Sequence, residues 1–188
     1  MEPALPDDSP KPDAPLRRRS LAGPILIGAV LSILLTAAGI GLFAVLQGRV
    51  PLLTDADFAR AEKTWETAGP QNYQYDLLIG GRQSGKVHAV VHHGVVTELT
   101  RDGLEPKRKQ TWDYWRIEQL FDFIADDLAV QKDPAKKAAQ FNIPGDTILT
   151  LRAKFDPRYG YPIRYRRAFA AQNLDLDWSI VRFEPLPP

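Results

Sequence analysis

Thr147-Ile148-Leu149-Thr150-Leu151-Arg152-Ala153-Lys154-Phe155, followed by Asp156-Pro157-Arg158-Tyr159-Gly160-Tyr161-Pro162-Ile163-Arg164, decides the fold class. Thr147, Leu149, Leu151, Ala153 and Phe155 alternate with Ile148, Thr150, Arg152 and Lys154, the period-two pattern of a strand with one buried and one mostly polar face. Asp-Pro-x-x-Gly is turn chemistry: the aspartate accepts from amides just ahead of it, proline fixes φ, and glycine takes a positive φ. Past the turn, Ile163, Tyr165, Arg167 and Phe169 fall on one side of a second strand. Two strands joined this tightly run antiparallel.

Working outward, a last strand is expected from about Leu176 to Phe183, carrying Trp178, Ile180, Val181 and Phe183. Upstream, Ile117, Leu120, Phe121, Ile124 and Leu128 follow helical spacing and predict the clearest amphipathic helix, with Asp113 as candidate cap. Pro134 opens a shorter helix through Gln140, and Ile143-Pro144-Gly145-Asp146 forms a turn. Further back, Tyr73–Ile79 reads as a strand. Lys86–Thr100 reads as a hairpin around His93-Gly94, followed by a polar loop from Arg101 to Gln110. Thr54 is placed to cap a helix that buries Phe58, Ala61 and Trp65 and stops at Gly69-Pro70. The order is helix, three strands, helix, three strands. It predicts an α+β domain: an antiparallel sheet of about five to six strands with two main helices packed on one face.

Before that domain, no charged residue occurs between Arg19 and Arg49. Roughly 20 apolar residues cross a ~30 Å hydrocarbon core, so residues 21–46 are expected to be a transmembrane helix. A signal peptide cleaved after Thr36-Ala37-Ala38 is the competing reading. The apolar run continues through Ile40, Leu42, Phe43, Val45 and Leu46, longer than the ~7–15 residues of a signal core. Residues 1–20 form a Pro-rich tail expected to be disordered. Arg17, Arg18 and Arg19 hold that tail in the cytoplasm. The reading is therefore a single-pass protein of the cell inner membrane, with residues 50–188 as its extracytoplasmic domain.

Composition narrows the chemistry. A formal net charge of +1 gives no electrostatic case for nucleic acid. The chain has no cysteine, which removes disulfides, thiolate nucleophiles and thiolate metal sites. His88 and His92 share a strand face but stand about 13 Å apart at roughly 3.3 Å per residue, too far for one metal ion. No Gly-x-Ser-x-Gly elbow or phosphate-binding glycine loop is present. Lys107-Arg108-Lys109 reads as a solvated loop tip, and the pair Asp126-Asp127 as the solvated side of its helix. Asp175 and Asp177 read as turn or edge residues. No catalytic, cofactor-binding or metal residue is assigned, and no cofactor is expected. Arg158, Tyr159 and Tyr161 are the candidate ligand or partner surface.

Trp65 with Asn72-Tyr73-Gln74-Tyr75, Gly94-Val95-Val96, Ile117–Phe121 and Phe155–Pro162 occur here in that order. Together they resemble an uncharacterised family of small bacterial exported, lipoprotein-like domains with a C-terminal Asp-Pro-x-Tyr-Gly-Tyr-Pro hairpin. The resemblance spans about Phe58 to Phe183 and implies export and fold, without an activity. This chain departs from many such relatives in lacking cysteines on the first strands and a lipidation cysteine. Three functional expectations follow. The first is a non-enzymatic binding or interaction module with a protein partner in the envelope. The second is an accessory subunit of a membrane complex contacted through residues 21–46, which also engage the lipid bilayer. The third is an enzyme of unrecognised type using His92, Asp156 and Arg167. A reporter fused after Pro188 is expected to be active only outside the cytoplasm; activity on the cytoplasmic side would reverse the topology.

Overall fold

The computed structural model describes residues 50–81, 84–170 and 173–187, which belong to one compact unit, Arg49–Pro188. The tail 1–20 and the predicted span 21–46 lie outside the described residues. Among the described residues no helix is long and apolar enough to cross a membrane.

Helix α1 (Asp55–Ala68) starts where the cap chemistry puts it: the Thr54 hydroxyl accepts from the Asp57 amide at 3.1 Å. Its buried residues are Phe58, Ala61 and Trp65, as the spacing predicts. Strands β1 (Tyr73–Gly80), β2 (Gly85–His92) and β3 (Val95–Arg101) follow. The β2–β3 turn has φ of 49° at His93 and 75° at Gly94, the left-handed pair that suits the twist of a two-residue hairpin. A 3-10 segment (Lys109–Trp115) leads into α2 (Ile117–Lys132) and α3 (Pro134–Phe141). Strands β4 (Leu149–Phe155), β5 (Pro162–Phe169) and β6 (Leu176–Pro185) complete the chain.

All six strands form one antiparallel sheet in the order β3-β2-β1-β6-β5-β4. The fold is α+β, as expected. The first and last strands in sequence are therefore central neighbours, and the two three-stranded halves join along β1 and β6. A register shift at Asp76/Leu77 gives β6 an extra residue there. It keeps Phe183 opposite Tyr75 and Ile180 opposite Leu77 on the helix-covered face. The helices pack on that face: Phe58 of α1 meets Phe121 of α2 edge to face at 5.8 Å.

Three sequence expectations require correction. Asp113 does not cap α2; it sits in the 3-10 segment, and the N-cap residue is Arg116, which makes no side-chain cap bond. The stretch from Arg101 to Gln110 is not simply a loop. Asp102 and Gly103, with φ of 53° and 79°, form a second tight turn closed by hydrogen bonds between Arg101 and Leu104. The third concerns Asp127, which is buried rather than solvated.

The Asp156–Gly160 turn is built as its sequence dictates. The Asp156 carboxylate accepts from the Arg158 and Tyr159 amides at 2.9 and 2.7 Å. Gly160 has φ of 85° and lies against α1. A methyl group there would press on the Ala61 carbonyl oxygen and come within 2.7 Å of the Trp65 nitrogen. The turn thus clamps α1 at a point only glycine fits. Gly160→Ala is expected to cost at least about 1–3 kcal/mol from backbone strain alone, seen as a lower melting temperature. Arg158→Ala, on the exposed side of the same turn, is expected to leave the melting temperature nearly unchanged.

Candidate functional site

The sheet and the helices do not close on each other everywhere. At the end of the sheet remote from the Asp156–Gly160 turn, an open cleft of about 680 Å³ remains, within the roughly 300–1,000 Å³ range of small-molecule sites. Its floor is Leu77 and Ile79 of β1, Val87 of β2, Leu99 of β3, and Leu176 and Trp178 of β6. Its roof is Tyr114 and Trp115 of the 3-10 segment with Leu120 and Phe123 of α2. Arg101, Gln119, Asp122 and Asp126 supply the polar groups of its lining. The cleft follows from side-chain alternation. The residues that face the helices along β1 and β2 keep facing that way beyond the main contact with α2, and there they line a recess; Leu77, Val87, Leu99 and Trp178 are at most 5% exposed. Tyr114 and Phe123, both on the roof, are exposed.

Behind Phe123 lies a polar cluster inside the core. Asp127 is 1% exposed. It accepts from the Tyr165 hydroxyl at 2.7 Å and from the Arg167 guanidinium at 2.8 and 3.1 Å. The Arg167 guanidinium carbon stands 4.7 Å from the centre of the Phe141 ring and 5.6 Å from that of Phe123. Burial pushes the Asp127 carboxyl above its ordinary range, and the Tyr165 hydrogen bond and Arg167 charge recover only part of that shift. Burial and the adjoining carboxylate push the Tyr165 phenol far up as well, so it stays a neutral donor. A charge held this way serves geometry: it fixes the middle of α2 over β5 and so the back wall of the cleft.

The candidate surface Arg158, Tyr159 and Tyr161 lies elsewhere. Tyr161 stacks on Phe183 with ring centres 4.1 Å apart, and Tyr159 tilts against the same ring at 5.9 Å. Arg158 covers Tyr159 at 4.8 Å. Burial and the Asp156 charge raise the Tyr161 phenol to about 12. Both tyrosines are half-buried, so their rings serve largely to pack the turn. The cleft begins at the far end of β1, roughly 13 Å along the strand from Tyr75 to Ile79 at 3.3 Å per residue.

The dispersed set His92, Asp156 and Arg167 does not converge. The β4–β5 register puts Arg167 at the opposite end of its hairpin from the Asp156 turn, and β1 and β6 separate β2 from β5. His88 turns to Asp76, its Nδ1 2.9 Å from the carboxylate. Burial alone would raise Asp76, but the hydrogen bonds and charges of His88 and Lys86 outweigh it and hold its carboxyl below the usual range. Asp175 and Asp177 hold Arg166 and Arg164. Among the described residues no group of three or more histidines and carboxylates is arranged to hold a metal ion.

Sequence reasoning passed over the cleft residues because each reads as an ordinary core position. One signal pointed to the cluster behind them: Arg167 falls on the apolar side of β5, where an arginine requires a buried counter-charge. Comparison with protein-family models, with curated proteins and with solved structures found no match.

Asp127→Ala is expected to destabilise the domain by about 3–5 kcal/mol, because it leaves the Arg167 charge buried and alone. Asp126→Asn, on the exposed neighbour, should stay within about 0.5 kcal/mol of wild type in chemical denaturation. Replacing Asp127 and Arg167 together by Leu and Met should recover much of the loss.

Proposed function

We propose that this chain is a membrane-tethered binding protein whose extracytoplasmic domain receives the apolar part of an amphipathic small molecule in the cleft beneath Trp115 and Phe123. The observation that carries this reading is the cleft itself. An opening of about 680 Å³ with an almost wholly apolar floor and polar groups in its lining suits a ligand with a hydrocarbon body and a polar end. Burying such a body contributes roughly 25 cal/mol for each Å² of apolar surface removed from water. Arg101, Gln119, Asp122 and Asp126 lie in the lining, where its polar end would meet them. The reading is of a binder rather than an enzyme, supported by a perturbed acid that is spent on an internal ion pair with Arg167 and a hydrogen bond from Tyr165. The tether supports it too: a protein held at the bilayer surface meets amphiphiles where they are most concentrated.

Trp115 and Trp178 line the cleft, while Trp65 and Trp112 are buried outside it. The full chain, labelled with 5-fluorotryptophan and held in lipid nanodiscs, can be titrated with decanoate. The Trp115 and Trp178 fluorine resonances are expected to move saturably while those of Trp65 and Trp112 stay put. Gln119→Phe, which narrows the opening, should weaken the response at least tenfold. Equal shifts at all four tryptophans, or no saturation at millimolar decanoate, would overturn the proposal.

A further inference from the structure

The face of the sheet away from the helices carries an uneven charge. On its β1–β2 part Lys86 and His88 are matched by Asp76, and on β6 Arg182 is matched by Glu184. On the β4–β5 part the balance fails. Arg152 stands directly opposite Arg166, and Lys154 directly opposite Arg164. Like charges opposed across an antiparallel pair oppose folding. Asp177 meets Arg164 at 3.0 Å and Asp175 approaches Arg166 at 3.8 Å. No carboxylate among the described residues pairs with Arg152 or Lys154 on the outer strand. Exposed apolar side chains flank them: Ile148 (68% exposed), just before β4, and Leu52 (58%), whose bridge partner is Arg152 itself.

The position of this patch in the chain adds a second, independent observation. The segment that leads into the domain runs antiparallel along the β4 edge. Leu53 donates to the Leu151 carbonyl at 2.9 Å, Ala153 donates to that of Pro51 at 3.2 Å, and the Arg152 guanidinium donates to that of Val50 at 2.8 Å. Val50 follows Leu46, the end of the apolar run, by four positions, and four residue steps span at most about 14 Å. The chain therefore enters the domain along the strand that carries the uncompensated patch.

We propose that the β4–β5 part of the open sheet face, formed by Arg152, Lys154, Arg164 and Arg166 with Leu52 and Ile148, docks on the anionic phospholipid surface of the membrane that anchors the chain. The proposal rests on residues 21–46 spanning that membrane. The guanidinium and ammonium groups meet phosphate headgroups, and the two apolar side chains enter the headgroup layer. The like-charge ladder that weakens the isolated sheet becomes favourable against a negative surface. Docking also presents the helix-covered side, with the cleft, away from the bilayer plane.

The absence of cysteine makes the test direct. The full chain carrying Ile148→Cys with an environment-sensitive fluorophore is reconstituted in nanodiscs of pure phosphatidylcholine or of phosphatidylcholine with phosphatidylglycerol. Spin-labelled headgroups serve as quencher. The expected result is a blue shift and quenching with anionic lipid only, reversed by high salt. A probe at Ala129→Cys, on the exposed side of α2, should respond to neither lipid. Lys154→Glu, at a side chain with no partner among the described residues, should reduce the docked population about fivefold for each unit of charge lost, while thermal stability holds or rises because the like-charge pair with Arg164 is relieved. Equal quenching in neutral and anionic discs, or indifference to Lys154→Glu, would overturn docking while leaving the anchor intact. Failure of the chain to float with vesicles of either composition would overturn the anchor instead.

Discussion

Two phenol hydroxyls on the central strand set the geometry on which the rest depends. Helix α2 begins without a side-chain cap, so its first orphan groups are met from the sheet. The Ile117 amide donates to the Tyr73 hydroxyl at 3.0 Å, and the Tyr75 hydroxyl donates to the Trp115 carbonyl. Both tyrosines are at most 1% exposed, and burial pushes both phenols well above their ordinary range. They remain neutral and can serve as donor and acceptor. Trp65 packs edge-on to Tyr73 at 5.4 Å and donates to Glu118 at 2.9 Å. Helix α1, strand β1 and the start of α2 are thereby locked by one set of contacts. An unmade hydrogen bond at this depth would cost about 1–3 kcal/mol, enough to fix the start of the helix to a single place.

The cleft is a product of that fixation. With its first turn pinned over Tyr73 and Tyr75, and its middle pinned to β5 through Asp127, Tyr165 and Arg167, α2 is held where it leaves a recess lined by Ile79, Leu99 and Trp178. A recess remains beside these residues, because moving the helix would break the hydrogen bonds that hold both its start and its middle. A collapsed core would be expected if hydrophobic contact alone chose the position of the helix. Buried polar groups instead hold it short of full closure, and the space they preserve is where a ligand would fit.

Much of this architecture was legible in the chain, because alternation and turn chemistry are local. Thr54, His93-Gly94 and Asp156–Gly160 each announced their role through nearest neighbours. The cap of α2 was not legible in that way. Asp113 has the right residue type, but two tyrosine hydroxyls some 40 residues upstream displaced it, and only the folded sheet brings them to the helix. Asp127 was misread for a related reason. Its neighbour Asp126 is exposed, and nothing near Asp127 in sequence shows that Tyr165 and Arg167 reach it from β5. The cleft was least legible of all, since a core position beside a recess and one pressed against a helix are the same residue in a pattern. What separates them is where a helix stops.

The segment 50–53 has a further consequence for how copies of this domain meet. A strand edge is a template for another strand, and this sheet has two edges, β3 and β4. Pro51 and Leu53 already take up hydrogen-bonding groups of Leu151 and Ala153 on the β4 edge. Among the described residues, that leaves β3 as the edge with a run of unclaimed backbone groups. The added segment is short and carries a proline, two features that make an edge a poor template for a further strand. The same four residues that lead into the domain also blunt its β4 side, leaving β3 the better-suited edge for a second copy.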